Sequence, residues 1–303
     1  MTPIPTVIQN SQEAMLDFVL LTTCDYQGGR RDELERLIES VKNSVAEHGL
    51  RVRHYLLLQR CQADEPAPEV PEYTELMRVD RQVSLSAARN MMLRRVHADG
   101  VLAHARTVCF PDDDAWYPDG TLSAIATLFA RDAQLGVIIC RYASSPVTIK
   151  ECPGGLALAR RPGSKQFVIN ASSNTLFVRA SVVEHVRYFD ERLGVGAALN
   201  GGEDLDFALR ARAHAKGNAL WLDAPLVGHR DKNRTLRARY FTGSLYAIAR
   251  SSGDPGVAVQ ALRKIAVGLY MVATGDFAPR DWLHSVRVGL QGRSQPEPEV
   301  SSQ

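Results

Sequence analysis

The stretch Phe110-Pro111-Asp112-Asp113-Asp114-Ala115-Trp116-Tyr117-Pro118 follows Arg106-Thr107-Val108-Cys109. Residues 106–110 are short, apolar and partly β-branched, which reads as a buried strand. That strand runs straight into three aspartates. Pro118 suits the first turn of a helix, predicted over residues 119–131. Three adjacent carboxylates repel one another. A hard divalent cation, Mg²⁺ or Mn²⁺, relieves that repulsion with one or two of them plus phosphate oxygens. In an open α/β sheet the carboxyl end of a strand is where ligands bind. The plainer alternative is a solvated acidic turn in which Asp114 caps the next helix. A strand before the turn and a helix after it weigh toward a site.

The pattern continues on both sides. Residues 17–24, 52–58 and 135–142 are further apolar runs of strand length. Between them, Leu34, Leu37, Ile38, Val41 and Val45 recur at helical spacing over residues 30–47. Ser84 can cap a helix over residues 85–97 that closes at Asp99-Gly100. Residues 62–72 are acidic, hold three prolines, and read as a loop. This β-α-β-α order predicts an α/β fold: a mainly parallel sheet with helices on both faces. Residues 144–166 read as an irregular insertion and 167–178 as paired short strands. Residues 203–216 predict a helix ending at Gly217, and 219–222 a short strand. From residue 234 to about 288 the chain reads as helical, and the Pro/Glu/Ser-rich end as a disordered tail.

The bulk properties exclude several classes. The chain has 303 residues, with 36 Lys plus Arg against 34 Asp plus Glu and a net charge of +2. That balance gives no global attraction to nucleic acid or anionic membrane. The longest stretch without a charged residue is 166–178, short of the roughly 20 residues of a spanning helix. The first residues lack the basic-then-apolar pattern of a signal peptide. Five cysteines without a CxxC argue against a disulfide framework or zinc ribbon. Cys24, Cys109 and Cys140 sit in apolar runs as small core residues. A reducing, cytoplasmic setting is the expectation.

Two more clusters carry chemistry. In Gly201-Gly202-Glu203-Asp204-Leu205-Asp206 the acids open a helix, where the dipole and free amides favour ionised carboxylates. A carboxylate held there suits a general base for a hydroxyl acceptor, although simple N-capping explains acids at the same place. Gly228-His229-Arg230-Asp231-Lys232-Asn233-Arg234 opens a basic run able to grip a diphosphate. A solvated helix face is the plainer reading of that run.

Together these residues resemble a family 2 glycosyltransferase of the GT-A fold over residues 17–235. The matching pieces, in order, are Thr22-Thr23-Cys24-Asp25, Leu85-Ser86-Ala87-Ala88-Arg89-Asn90, the 112–118 stretch, Phe189-Asp190-Glu191-Arg192-Leu193 leading to Gly202-Glu203-Asp204, and His229. The resemblance implies a GT-A catalytic domain over 13–235, a helical extension over 236–290 and a tail over 291–303. It implies Thr23, Asp25, Arg89, Asp112, Lys232 and Arg234 on the nucleotide-sugar, and Asp204 as base with Glu203 beside it. His229 would join the aspartates on Mn²⁺ or Mg²⁺, and Trp116 would stack on the acceptor. Two registers of the metal motif stand open: Asp112 on ribose with Asp113 on metal, or a literal DxD of Asp112 and Asp114. Gln59-Arg60-Cys61 stands where relatives often carry a base-reading Asp, and Pro111 stands where they often carry the motif's first acid.

The implied activity is inverting, metal-dependent transfer from a nucleotide-sugar to a saccharide or lipid-linked hydroxyl. A sugar-phosphate nucleotidyltransferase would need a Gly-rich phosphate loop, for which Gln27-Gly28-Gly29-Arg30 is a poor substitute. A non-catalytic sugar-binding relative would lose the acids, which are all present. Residues 256–275 are apolar nearly all round apart from Arg263 and Lys264, which predicts a buried helix. The alternative is a face that touches membrane or a second copy, with Arg237, Arg239 and Arg250 meeting anionic headgroups.

Overall fold

The computed structural model describes residues 15–152, 154–230 and 236–295. Lys232 and Arg234 lie outside the described residues, as do residues 296–303 of the expected tail. Residues 291–294 of that tail instead form a single 3₁₀ turn.

Strand β1 (Leu16–Asp25) leads through helix α1 (Arg31–His48) to β2 (Val52–Gln59). β3 (Thr74–Val79), α2 (Leu85–Ala98), β4 (Ala105–Cys109), α3 (Thr121–Arg131) and β5 (Val137–Ala143) follow. Next come β6 (Ala159–Arg160), α4 (Ser164–Asn170), β7 (Leu176–Arg179), α5 (Ala180–Val186), α6 (Glu203–His214) and β8 (Ala219–Gly228). The chain ends in α7 (Leu236–Arg239), α8 (Phe241–Arg250), α9 (Pro255–Ala273) and α10 (Pro279–Leu290). The described strands form one sheet in the order β3-β2-β1-β4-β7-β5-β8-β6.

Pairing is parallel from β3 through β4 and between β5 and β8. β7 runs antiparallel to both β4 and β5. The carboxyl ends of β1, β2, β4 and β8 therefore share one edge with the amino end of β7. That edge collects Asp25, Gln59, the aspartate turn, His229 and the segment before Leu176.

Alternation along β1 builds the two faces of the core, as a strand's twofold period requires. Val19 and Leu21 pack with Ala88, Met92 and Val96 of α2. Phe18 and Leu20 face the other way and pack with Leu37 and Val41 of α1 and Leu122, Ile125 and Phe129 of α3. The C-terminal helices join the first cluster through Phe241 and Leu245.

The structure corrects several sequence expectations. Residues 167–178 are not paired strands. Phe167 is the fully buried anchor of the short helix α4, and only β7 is a strand. β3 was not foreseen, because TELMRV is half-buried at the sheet edge and shows no continuous apolar run. α3 begins after Gly120, whose φ of 77° ends the preceding turn, so Pro118 lies outside the helix. β8 extends to Gly228, six residues beyond the expected strand. α9 is not buried. Val257, Gln260, Ala261, Gly268 and Met271 face inward, while its outer face stays open.

His54 of β2 is buried in this core with Nε2 3.0 Å from Thr22 Oγ1. Burial pushes its pKa down from 6.5 to about 4. The folded state thus keeps His54 neutral while an unfolded chain protonates it below 6.5, so stability is lost as pH falls from 6.5 toward 4. Urea unfolding near pH 7 and near pH 4.5 should show a loss of about 2 kcal/mol assignable to this residue. His54→Gln should shrink the pH difference by about that amount; an unchanged difference contradicts the assignment.

Candidate active site

Asp112 is the hub. Its backbone N–H donates to Asn174 Oδ1 at 2.7 Å, and its carboxylate accepts from Asn174 Nδ2 at 2.8 Å. Arg89 Nη2 donates to Asp112 Oδ1 at 2.9 Å, while its Nη1 donates to Asp204 Oδ1. Arg89 is 2% exposed, so one buried guanidinium fork holds two partly exposed carboxylates from distant chain segments. The Ser173 backbone N–H donates to Asp204 Oδ2 at 2.9 Å. Asp204 is therefore oriented from both sides at the start of α6, with its side chain still 21% exposed.

Asp114 faces the opposite partner set. His229 Nε2 lies 3.2 Å from Asp114 Oδ1 and 3.9 Å from Asp112 Oδ2. Arg230 Nε donates to Asp114 Oδ2. Burial by itself would raise the Asp114 pKa, but the His229 hydrogen bond and the charges of His229 and Arg230 hold it well below the usual carboxylate range. Burial would lower the His229 pKa, and Asp114 and Asp112 raise it instead. At Asp112 burial wins over Arg89 and raises the pKa.

The meeting of Asp114 and His229 has a local cause. Trp116 and Gly228 form an antiparallel bridge, with Trp116 N donating to Gly228 O at 3.1 Å and Gly228 N to Trp116 O at 2.8 Å. A Cβ on residue 228 would lie 2.0 Å from the Trp116 ring, so only glycine permits this approach. The Trp116 ring is engaged by Gly228 and by the Arg36 guanidinium, 3.7 Å from the ring centroid.

Asp113 points elsewhere. It pairs with Arg30 Nη1 at 2.9 Å, and burial raises its pKa to about 6. Ligand atoms of Asp112, Asp114 and His229 lie within 4.8 Å of one another. Two carboxylates and an imidazole make a donor set that suits Mn²⁺ or Mg²⁺.

Glu203 is 6% exposed, and its Oε2 has no hydrogen-bond partner among the described residues. Burial first, and then the Asp204 charge, raise its pKa to about 8. A neutral carboxyl in that position is a poor proton acceptor at neutral pH.

At the far side of the edge, Arg60 clamps Asp25 with two bonds of 2.7 and 2.6 Å. Arg60 does so from a left-handed conformation, φ 53°, that non-glycine residues seldom adopt. Gln59 Nε2 donates to Thr23 Oγ1 at 2.9 Å, and its Oε1 accepts from Val83 N. The strip Thr23–Asp25 is thus ordered by the residues that replace the expected base-reading acid.

Sequence reasoning did not foresee Ser173, Asn174, Arg30 or Arg60 as site residues. The signal for the first two was a polar run, Ser172-Ser173-Asn174-Thr175, between apolar segments.

No protein-family model matches the chain, and no curated protein matches it. Solved structures do. Residues 1–349 of S. aureus TarS superpose with a TM-score of 0.62 at 12% identity, over 91% of this chain and 80% of that one. The complex of the same protein with UDP-GlcNAc gives the same score and identity, over 91% and 81%. The mannosyltransferase PcManGT from Pyrobaculum calidifontis, in complex with GDP-Man and Mn²⁺, gives 0.51 at 13% identity, over 93% and 87%. The α/β sheet, its flanking helices and these superpositions give the chain the GT-A fold.

Proposed function

We propose that the protein is an inverting, metal-dependent glycosyltransferase of the family 2 type. It moves a sugar from a nucleotide-sugar to a hydroxyl of a saccharide or lipid-linked acceptor. The observation that carries this reading is the Arg89 fork, which sets Asp204 beside the Asp112, Asp114 and His229 group. A base for the acceptor and a seat for the donor diphosphate then stand on one sheet edge.

Asp112, Asp114 and His229 would hold Mn²⁺ or Mg²⁺. When bound, the cation supplies Lewis-acid stabilisation of charge on the departing diphosphate. Arg230 and Arg30 add fixed positive charge at the same edge, and Lys232 and Arg234 follow in the sequence. Thr23 and Asp25 line the nucleotide side. Asp204 Oδ accepts the acceptor hydroxyl proton as that oxygen bonds to the anomeric carbon. The bond from the anomeric carbon to the diphosphate oxygen breaks with its electron pair going to the diphosphate. One displacement inverts the anomeric centre. Arg89 and the Ser173 amide orient Asp204 for this role, whereas burial raises the pKa of Glu203 beside it to about 8.

A panel of nucleotide-sugars incubated with Mn²⁺, with Mg²⁺ and with chelator tests the reading. At least one donor should be consumed only when a divalent cation is present. Consumption that is equal with and without the cation, or formation of pyrophosphate instead of a nucleoside diphosphate, contradicts it.

A further inference from the structure

Helix α9 is long and apolar enough to cross a membrane by length and composition, with a mean hydropathy of 1.3. Its packing says otherwise. Gly268 lies against Phe241 and Trp282, and Val257 and Met271 belong to the main core, so one face is fixed to the protein. Arg263 and Lys264 also fall at its midpoint, where a spanning helix would carry them to the costly centre of a bilayer.

The other face is open. Val259, Leu262, Leu269 and Tyr270 are 57%, 69%, 54% and 69% exposed. With Ala266 and Ala273 they follow helical spacing and form one continuous stripe. The neighbouring α10, joined to α9 through Trp282, leaves Leu283 62% exposed. A contiguous exposed apolar stripe beside charged residues marks an interaction surface.

The charges identify the partner. The exposed residues of α9 include Arg263 and no acid. Lys264 lies close enough to Arg263 and Arg237 to feel both cations. Exposed Arg280 and Arg287 continue the positive charge on α10, against Asp281. A second copy laid on this face about a twofold axis would bring two Arg263 cations together, with no acid on the stripe to pair them. An anionic lipid surface gives the aliphatic side chains an apolar medium, Arg263 a phosphate, and Tyr270 the interfacial level where its ring and hydroxyl are both satisfied.

We propose that the outer face of α9 lies in the plane of an anionic membrane surface. The arrangement is peripheral. α9 packs on α8, and Gly201 and Gly202 before Asp204 pack on Gly243 of α8, so the candidate site is one helix layer from the bound lipid.

Co-sedimentation of the full chain with phosphatidylcholine vesicles, with and without a one-third share of phosphatidylglycerol, reads this directly and involves no transfer reaction. The protein should sediment with the phosphatidylglycerol vesicles at low salt. Binding should fall at least about tenfold with phosphatidylcholine alone or in high salt. The double substitution Leu262→Glu, Tyr270→Glu should abolish binding while leaving the urea midpoint unchanged, since both side chains are exposed in the free protein. Three outcomes overturn the proposal. The protein stays in the supernatant with phosphatidylglycerol vesicles at low salt, the double variant binds as well as the parent, or sizing shows a dimer that the double variant breaks.

Discussion

Asp204→Asn should bind nucleoside diphosphate with Mn²⁺ as the parent does and lose transfer by about 10²–10⁴-fold, the range for a positioned base. The substitution keeps the shape of the side chain and removes its capacity to take the acceptor proton. Asn keeps one acceptor oxygen, so one of the two bonds from Arg89 and the Ser173 amide persists and the other is lost, while Arg89 keeps its bond to Asp112. Single-turnover transfer and calorimetric binding on the same preparation separate chemistry from donor binding. Near-normal turnover would mean that Asp204 is not the base. Loss of diphosphate binding in proportion to turnover would mean that Asp204 serves the donor instead.

The second large effect is expected at Arg250, far from the chemistry in sequence. Its Nη1 pairs with Asp206 Oδ1 at 2.7 Å and its Nη2 with Asp190 Oδ2 at 2.5 Å. Asp206 is fully buried and Asp190 nearly so. The pair ties α8 to α6 and to the turn after Phe189. Arg250→Ala would leave Asp206 with Arg210 and Asp190 with Arg192, each short of one buried partner. Removing one member of a buried ion network costs about 3 kcal/mol or more. Urea unfolding should report that loss, and Arg250→Lys should recover part of it. A change under about 1 kcal/mol would show that the remaining arginines suffice.

Transfer should weaken in Arg250→Ala as well, because α8 presses on the segment before Asp204. Gly202 has φ 88°, and a Cβ there would lie 2.3 Å from the Gly243 backbone. The sequence reading makes residues 236–290 a helical extension with a buried helix over 256–275. Arg250 shows why that was incomplete. In the membrane alternative Arg250 meets headgroups, and only the fold brings Asp190 and Asp206 to it from sixty and forty-four residues away.

Elsewhere the sequence was readable where local pattern carries the information. β1, β2, β4 and α2 each show a period or an apolar run that solvent and packing impose on a short segment. β3 carries neither, because an edge strand with both faces half-buried tolerates Glu75 and Arg78 within it. The grouping of Asp112, Asp204 and His229 came with the family resemblance. The directions of the three adjacent aspartates did not. They depend on a turn, closed by Ala115 N donating to Asp112 O at 3.1 Å, that sends Asp113 toward Arg30 and Asp114 toward His229. Asn174 was invisible for a related reason. It reaches Asp112 only because β7 enters the sheet antiparallel, against the run of its neighbours.

Calorimetric titration of UDP and GDP against the parent, Asp113→Asn and Asp114→Asn, with Mn²⁺ and with chelator, bears most directly on the central claim that Asp112, Asp114 and His229 seat a cation-bound diphosphate. One of the two diphosphates should bind the parent with Mn²⁺ and weaken at least about tenfold with chelator and in Asp114→Asn, while Asp113→Asn keeps the Mn²⁺ dependence. Equal affinity with and without Mn²⁺, or an Asp114→Asn variant indistinguishable from the parent, would contradict it.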